Sequence, residues 1–190
     1  ADILSSKFKI IHNRQGSNLL RGIASTLISS SSLSGIIPAN LGIWEVDEAT
    51  LPEAIGNTKP KIIALLNLFR DQLDRYGEVD TTRAKWQKAL LTLNQGSTLI
   101  LNADDPGISY LARDFKGKVI YFGVNDKKLD LPQIENVADI KHCLNCGSTL
   151  NYSTLLSAHL GHYTCKNCDF KRTNPAVSAS NLQFKPDFST

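Results

Sequence analysis

Methionine is absent from all 190 residues, position 1 included. An initiator methionine can be trimmed ahead of Ala1, so this alone excludes nothing. With an opening that reads as mid-fold, it sets the expectation of a piece excised from a longer protein. No window approaches the roughly 18 consecutive apolar residues of a membrane span. No basic segment followed by an apolar run opens the chain, so no secretory leader is read and the cytoplasm is the expected compartment. A G-x-x-G-K-[ST] phosphate loop is missing too. Charge of one sign is scarce: the net charge is +3, and the surplus sits in residues 141–190, where five Lys/Arg face two acids. An excess this small is too weak to argue for nucleic acid by electrostatics alone.

What is present is an ordinary globular composition, 42% apolar and 21% charged. The length suffices for one core plus a small satellite module. Short apolar runs alternate with helix-period stretches up to about residue 124. Strands are expected at 9–11, 42–46, 61–67, 98–101 and 119–122, and helices at 18–28, near 51–55, at 81–93 and at 108–115. The run Lys61 to Asn67 is apolar on both faces, as a parallel strand covered by helices should be. The β-α-β-α rhythm with short connections predicts an α/β fold with a doubly wound, mostly parallel sheet. Ligands of such sheets collect beyond the carboxyl ends of the strands. The residues there are His12-Asn13, Glu45 to Glu48, Asn67 to Asp74 and Asn102 to Asp105. All four clusters are polar and three are acidic, the pattern of a magnesium-nucleotide site. The serine-rich stretch 29–34 is a loop carrying no chemistry. Residues 1–138 are expected to form the nucleotide-binding domain, 139–173 a cysteine insertion, and 174–190 the start of the continuing domain.

Cys143 and Cys146, then Cys165 and Cys168, form two C-x2-C pairs eighteen residues apart. Two such pairs can each close a tight turn on one metal and complete a tetrahedral shell of four sulfurs. Gly147 follows the first pair, where the turn favours a residue free of Cβ strain. His142, His159 and His162 lie nearby, but four thiolates already fill a closed site. Two disulfides are the rival reading, disfavoured in a reducing compartment. A redox C-x-x-C is the other, and it usually needs a single pair at a strand–helix junction. A structural zinc ion is the expectation, a staple with no position open to substrate.

A glutamate such as Glu45 at a strand end can present a carboxylate to nucleotide-bound magnesium. By itself it is more often a solvated strand end. The residues around it add weight. His12-Asn13 precedes Gly16-Ser17-Asn18, and Glu45-Val46-Asp47-Glu48-Ala49 follows. Then come Asn67-Leu68-Phe69-Arg70-Asp71-Gln72-Leu73-Asp74-Arg75-Tyr76-Gly77, Thr82-Arg83-Ala84-Lys85-Trp86 and Leu101-Asn102-Ala103-Asp104-Asp105-Pro106. In that order and at those separations these segments resemble the central ATPase domain of the Mur ligases, which build peptidoglycan precursors. They are most similar to the branch that serves as the ligase-like subunit of lipid II isoglutaminyl synthase, which carries a cysteine-rich insertion in the same place.

The resemblance implies an ATP-dependent carbon–nitrogen ligase. MgATP phosphorylates the D-glutamate carboxylate of the lipid II stem peptide, and ammonia from a glutamine amidotransferase (glutaminase) partner displaces the phosphate. By the same resemblance Glu45 is a magnesium ligand, and Asp71 and Asp74 line its cleft. Asn102, Asp104 and Asp105 lie near the nucleotide or brace its loop. Lys85 falls where many Mur ligases carry a carbamylated lysine, the alternative being a bare surface lysine. Gln72 stands where many have a metal-binding histidine, which puts a second magnesium in doubt. The missing phosphate loop precedes the first strand in the family, so truncation is expected, with no ATP hydrolysis by this chain alone. An ordinary Mur ligase or folylpolyglutamate-synthase relative that adds an amino acid is the first alternative. A non-catalytic zinc-ribbon binding module is the second.

Overall fold

The computed structural model describes residues 1–13, 17–69, 78–132 and 140–183. Asp71 and Asp74, with Gln72, lie outside them. The chain divides into two compact units, Ala1–Lys59 and Pro60–Thr190.

In the first unit a one-turn helix α1 (Asp2–Ser5) leads to β1 (Ile10–His12), α2 (Leu20–Ser30), β2 (Leu41–Ile43) and α3 (Leu51–Thr58). The two strands pair in parallel, Ile10 opposite Leu41 and His12 opposite Ile43. A parallel pair requires a crossover, which α2 supplies. Ile23, Leu51, Ala54 and Ile55 are its buried apolar side chains. The end of the pair is locked by one amide. Asn13 is buried, donates to the Glu45 carbonyl at 2.7 Å and accepts from the Glu45 N–H at 2.9 Å. It also donates to the Ser17 carbonyl at 2.8 Å. The strand expected at 42–46 thus ends at Ile43, and Glu45 follows outside the ladder, its backbone bonded to Asn13.

The second unit alternates β3 (Ile62–Leu65), α4 (Glu78–Leu90), β4 (Thr98–Asn102), α5 (Pro106–Tyr110) and β5 (Lys118–Val124). It then forms the hairpin β6 (Leu150–Ser157) and β7 (Leu160–Cys165), and ends in β8 (Val177–Ala179). The sheet runs β3-β4-β5-β8, every neighbour parallel. Trp86 and Leu90, one turn apart on α4, are buried, as are Leu99 and Leu101 of β4 and Ile108 and Leu111 at α5. Burial of such side chains drives the layers together at about 25 cal/mol per Å² of apolar surface. β3 departs from expectation. Its side chains alternate, Ile62 (60% exposed) and Ala64 open and Ile63 and Leu65 buried, so only one face of this edge strand is covered among the described residues. The doubly wound, mostly parallel α/β architecture is as expected.

Candidate functional site

The hairpin and its flanks build a four-thiol centre. The sulfurs of Cys143, Cys146, Cys165 and Cys168 all lie within 4.8 Å of one another, and Cys143–Cys168 and Cys146–Cys165 each stand at 3.5 Å. None is in a disulfide. A tetrahedron of sulfurs around zinc, with bonds of about 2.3 Å, has edges of about 3.8 Å. The four thiols fit such an ion. Each pair sits in a turn whose backbone points at sulfur: the Asn145 N–H reaches Cys143 Sγ and the Asn167 N–H reaches Cys165 Sγ, both at 3.4 Å. Gly147 closes the first turn at φ +74°, donating to the Cys143 carbonyl at 2.8 Å. The thiols are electrostatically unequal. Hydrogen bonds from Ser148 and Asn167 lower Cys146 to about 6. The Phe170 N–H favours the Cys168 thiolate, yet burial and the three adjacent thiols push it up to about 12. A divalent cation removes that mutual opposition by taking all four as thiolates. Beneath the centre, Ile140, Cys143, Leu150, Tyr163 and Cys165 form a small core joined by Tyr152 and Phe170.

This ribbon is fastened to the carboxyl ends of β4 and β5. Arg172 donates from Nε to Asp104 Oδ1 at 2.6 Å, and the other Asp104 oxygen accepts the Val124 N–H at 2.7 Å. The Val124 carbonyl takes His162 Nε2 at 2.8 Å and Arg172 Nη2 at 3.2 Å. The Gly161 N–H reaches the Asp104 carbonyl at 2.8 Å. Gly123 lies so close below the pair that a Cβ there would come within 2.8 Å of Arg172 Nη2. Asp105 is wholly buried and caps α5, accepting from Gly107 and Ile108 at 2.8 and 3.1 Å with Pro106 next in line. Its second oxygen accepts the Leu68 N–H at 3.1 Å and stands 3.7 Å from His159 Nε2. Asn102 turns its amide oxygen onto the Asp104 N–H at 2.9 Å.

The anticipated residues thus fall into distinct settings. Cys143, Cys146, Cys165 and Cys168 converge on one point. Asn102, Asp104 and Asp105 gather at one strand end, with their oxygens engaged by the fold. Glu45, in the first unit, holds its side chain exposed, and Lys85 is exposed on α4 beside buried Trp86. Sequence alone does not single out Arg172 and His159: the first reads only as charge and the second as a surplus ligand, and their partners Asp104 and Asp105 lie far away in the chain. A further cavity of about 380 Å³ is lined by Tyr110, Arg113, Tyr121, Asn145, Phe170 and Lys171.

The Mur ligase middle domain family matches residues 38–168. The chain belongs to the Mur ligase family. This Mur ligase middle domain is 31% identical over 182 residues to subunit MurT of lipid II isoglutaminyl synthase (glutamine-hydrolyzing) from Staphylococcus aureus (strain COL), covering 96% of the chain and 40% of that protein. The MurT of Streptococcus pneumoniae (strain ATCC BAA-255 / R6) is 30% identical over 165 residues, 86% of the chain and 36% of the relative. UDP-N-acetylmuramoylalanine–D-glutamate ligase of Bacillus pumilus (strain SAFR-032) is 23% identical over 74% of the chain and 33% of its own length. The chain therefore spans 40% or less of these relatives. A pseudomurein peptide ligase type C from Methanothermus fervidus has the same fold, with a TM-score of 0.67 at 21% identity over 94% of the chain and 34% of that protein. No helix among the described residues is long and apolar enough to cross a membrane.

Proposed function

We propose that this Mur ligase middle domain works in an ATP-dependent amide ligase that amidates the D-glutamate of the lipid II stem peptide. The observation that carries the reading is the likeness to MurT along 96% of the chain. The terminal phosphoryl group of ATP passes to the glutamate carboxylate, ADP leaves, and an acyl phosphate results. Ammonia from a glutaminase partner adds to that carbonyl and inorganic phosphate departs. By the likeness to the Mur ligases, the exposed carboxylate of Glu45 would hold the nucleotide's magnesium. Asp71 and Asp74, which lie outside the described residues, are assigned to nucleotide binding on their place in the sequence. The magnesium would offset charge on the transferring phosphoryl group. Lys85, exposed on α4, would carry the carbamate. Asn102, Asp104 and Asp105 brace the strand end, because their oxygens are already taken by backbone N–H groups and Arg172. The four thiolates hold one zinc ion as a closed structural site with no position for substrate. By this reading residues 1–138 belong to the nucleotide-binding domain, 139–173 to its zinc insertion, and 174–190 to the domain's resumption. The protein acts in the cytoplasm.

The test combines the full-length protein with its glutaminase, lipid II, ATP and glutamine, and follows the stem glutamate by mass spectrometry. Conversion of carboxyl to amide, dependent on ATP, is expected. Addition of an amino acid in place of an amide would move the chain to the ordinary Mur ligases. Metal analysis of the purified protein should return one zinc per chain.

A further inference from the structure

We propose that His159 is a positioning residue that couples the four-thiol centre to the loop after β3, acting through Asp105 and Phe69. Only its consequence for catalysis rests on the ligase reading above. An imidazole carries at least one N–H in either neutral tautomer. His159 is wholly buried, and neither ring nitrogen has a hydrogen-bond partner among the described residues. A buried donor left in this way costs free energy that an ordinary core side chain would not. The carboxylate facing it is Asp105, whose Oδ2 lies 3.7 Å from Nε2. Asp105 already accepts the N–H groups of Leu68, Gly107 and Ile108. A carboxylate offers about four lone-pair sites, so one remains, on the side where His159 stands. A closure of less than 1 Å, on the order of ordinary side-chain adjustment, joins the two. The His159 ring also packs against Phe69, centroids 4.9 Å apart and tilted by 53°.

The hairpin is built to deliver this side chain. Ala158, in the turn, takes the left-handed φ of +46°, which aims the next residue back toward the sheet. The Tyr152 hydroxyl donates to the His159 carbonyl at 2.9 Å, and burial keeps that phenol protonated by raising it above its ordinary range. The same two strands pair Leu150 with Cys165 at their other end, inside the thiol centre. The hairpin therefore carries metal ligand at one end and His159 at the other. Leu68 and Phe69, which His159 holds directly and through Asp105, immediately precede the acidic stretch from Arg70 onward. Metal occupancy of the ribbon thereby sets the order of the chain entering that stretch.

The experiment measures backbone amide exchange at Leu68 in the full-length protein, with zinc bound and after chelation. Wild type, His159→Phe and His159→Gln are compared. In wild type, chelation should raise exchange at Leu68 about tenfold, the worth of one charge-assisted hydrogen bond. His159→Phe, which keeps a ring against Phe69 and loses the donor, should show that rise with zinc still bound, and chelation should then add little. His159→Gln, which keeps a donor, should restore protection. Tyr152→Phe supplies a milder probe should His159→Phe not fold, and should also raise exchange with zinc bound. Unchanged exchange in the zinc-bound variants, or an equal response to chelation in wild type and His159→Phe, would overturn the proposal. Where the amidation reading holds, His159→Phe should lower kcat, and His159→Gln should recover it. Exchange at Leu68 needs no activity, so failure of the coupling and failure of the ligase reading are told apart.

Discussion

Asp104 and Arg172 lie 68 residues apart in sequence and meet at 2.6 Å with side chains 4% and 10% exposed. Truncating one partner leaves the other as a buried charge, whereas the pair itself only roughly balances its desolvation. Arg172→Ala should therefore lower stability by about 3 kcal/mol or more in denaturant unfolding, with Asp104→Ala/Arg172→Ala less damaging than the two single losses combined. A near-neutral Arg172→Ala would show that solvent reaches Asp104 once the guanidinium is gone. The two neighbouring aspartates differ in how far sequence exposes their roles. Asp105-Pro106 is a helix cap followed by a first-turn proline, a local signal that was there to be read. Asp104 carries no such mark, since its partner is fixed only when the ribbon folds back. The cysteines are the opposite case: their spacing predicts that the two pairs meet, and the structure brings the four sulfurs together.

At the scale of elements, the one-turn α1 is too short to leave a period, whereas the strands and helices from β1 to β5 are visible in the sequence because parallel strands and amphipathic helices leave different periods. Their ends are not. Gly42 to Val46 reads as one strand, yet the ladder stops at Ile43 because Asn13 captures the Glu45 backbone. β8 escaped altogether. Its three residues, Val-Ser-Ala, lie in a polar tail and become a strand only by lying beside β5. That short strand is held by a carboxylate. Asp126 accepts the Leu182 N–H at 2.7 Å and the Lys128 N–H at 3.1 Å, and these bonds hold its carboxyl below the ordinary value of 3.8. A depressed acid contributes fully above its ordinary value and loses that contribution as pH falls through the lower, folded one. Limited proteolysis after β8 should therefore stay slow down to about pH 4 and accelerate below it. Asp126→Asn should be cleaved faster at neutral pH and lose the acid dependence. An unaltered profile in Asp126→Asn would assign the acid response to another group.

For the molecule as a whole, β5 and β8 are adjacent strands, while everything from Asn125 to Ala176, the ribbon included, lies between them in sequence. Pairing Phe122 with Val177 thus closes a long loop, and the entropy of closure must be met before the contact rewards it. A metal that clips the two cysteine pairs together shortens the free chain that β8 has to search through. In refolding from denaturant, β8 should be the last strand of its sheet to gain amide protection. Zinc present from the start should hasten β8 and leave the pairing of β3 with β4 unchanged; equal rates with and without zinc would count against this order. The ribbon then has a role in time as well as in place. If the four thiols hold zinc, the ion that staples the hairpin would also govern how soon the sheet acquires its outer edge, and a cell short of zinc would accumulate chains whose β8 is still unpaired and open to proteases.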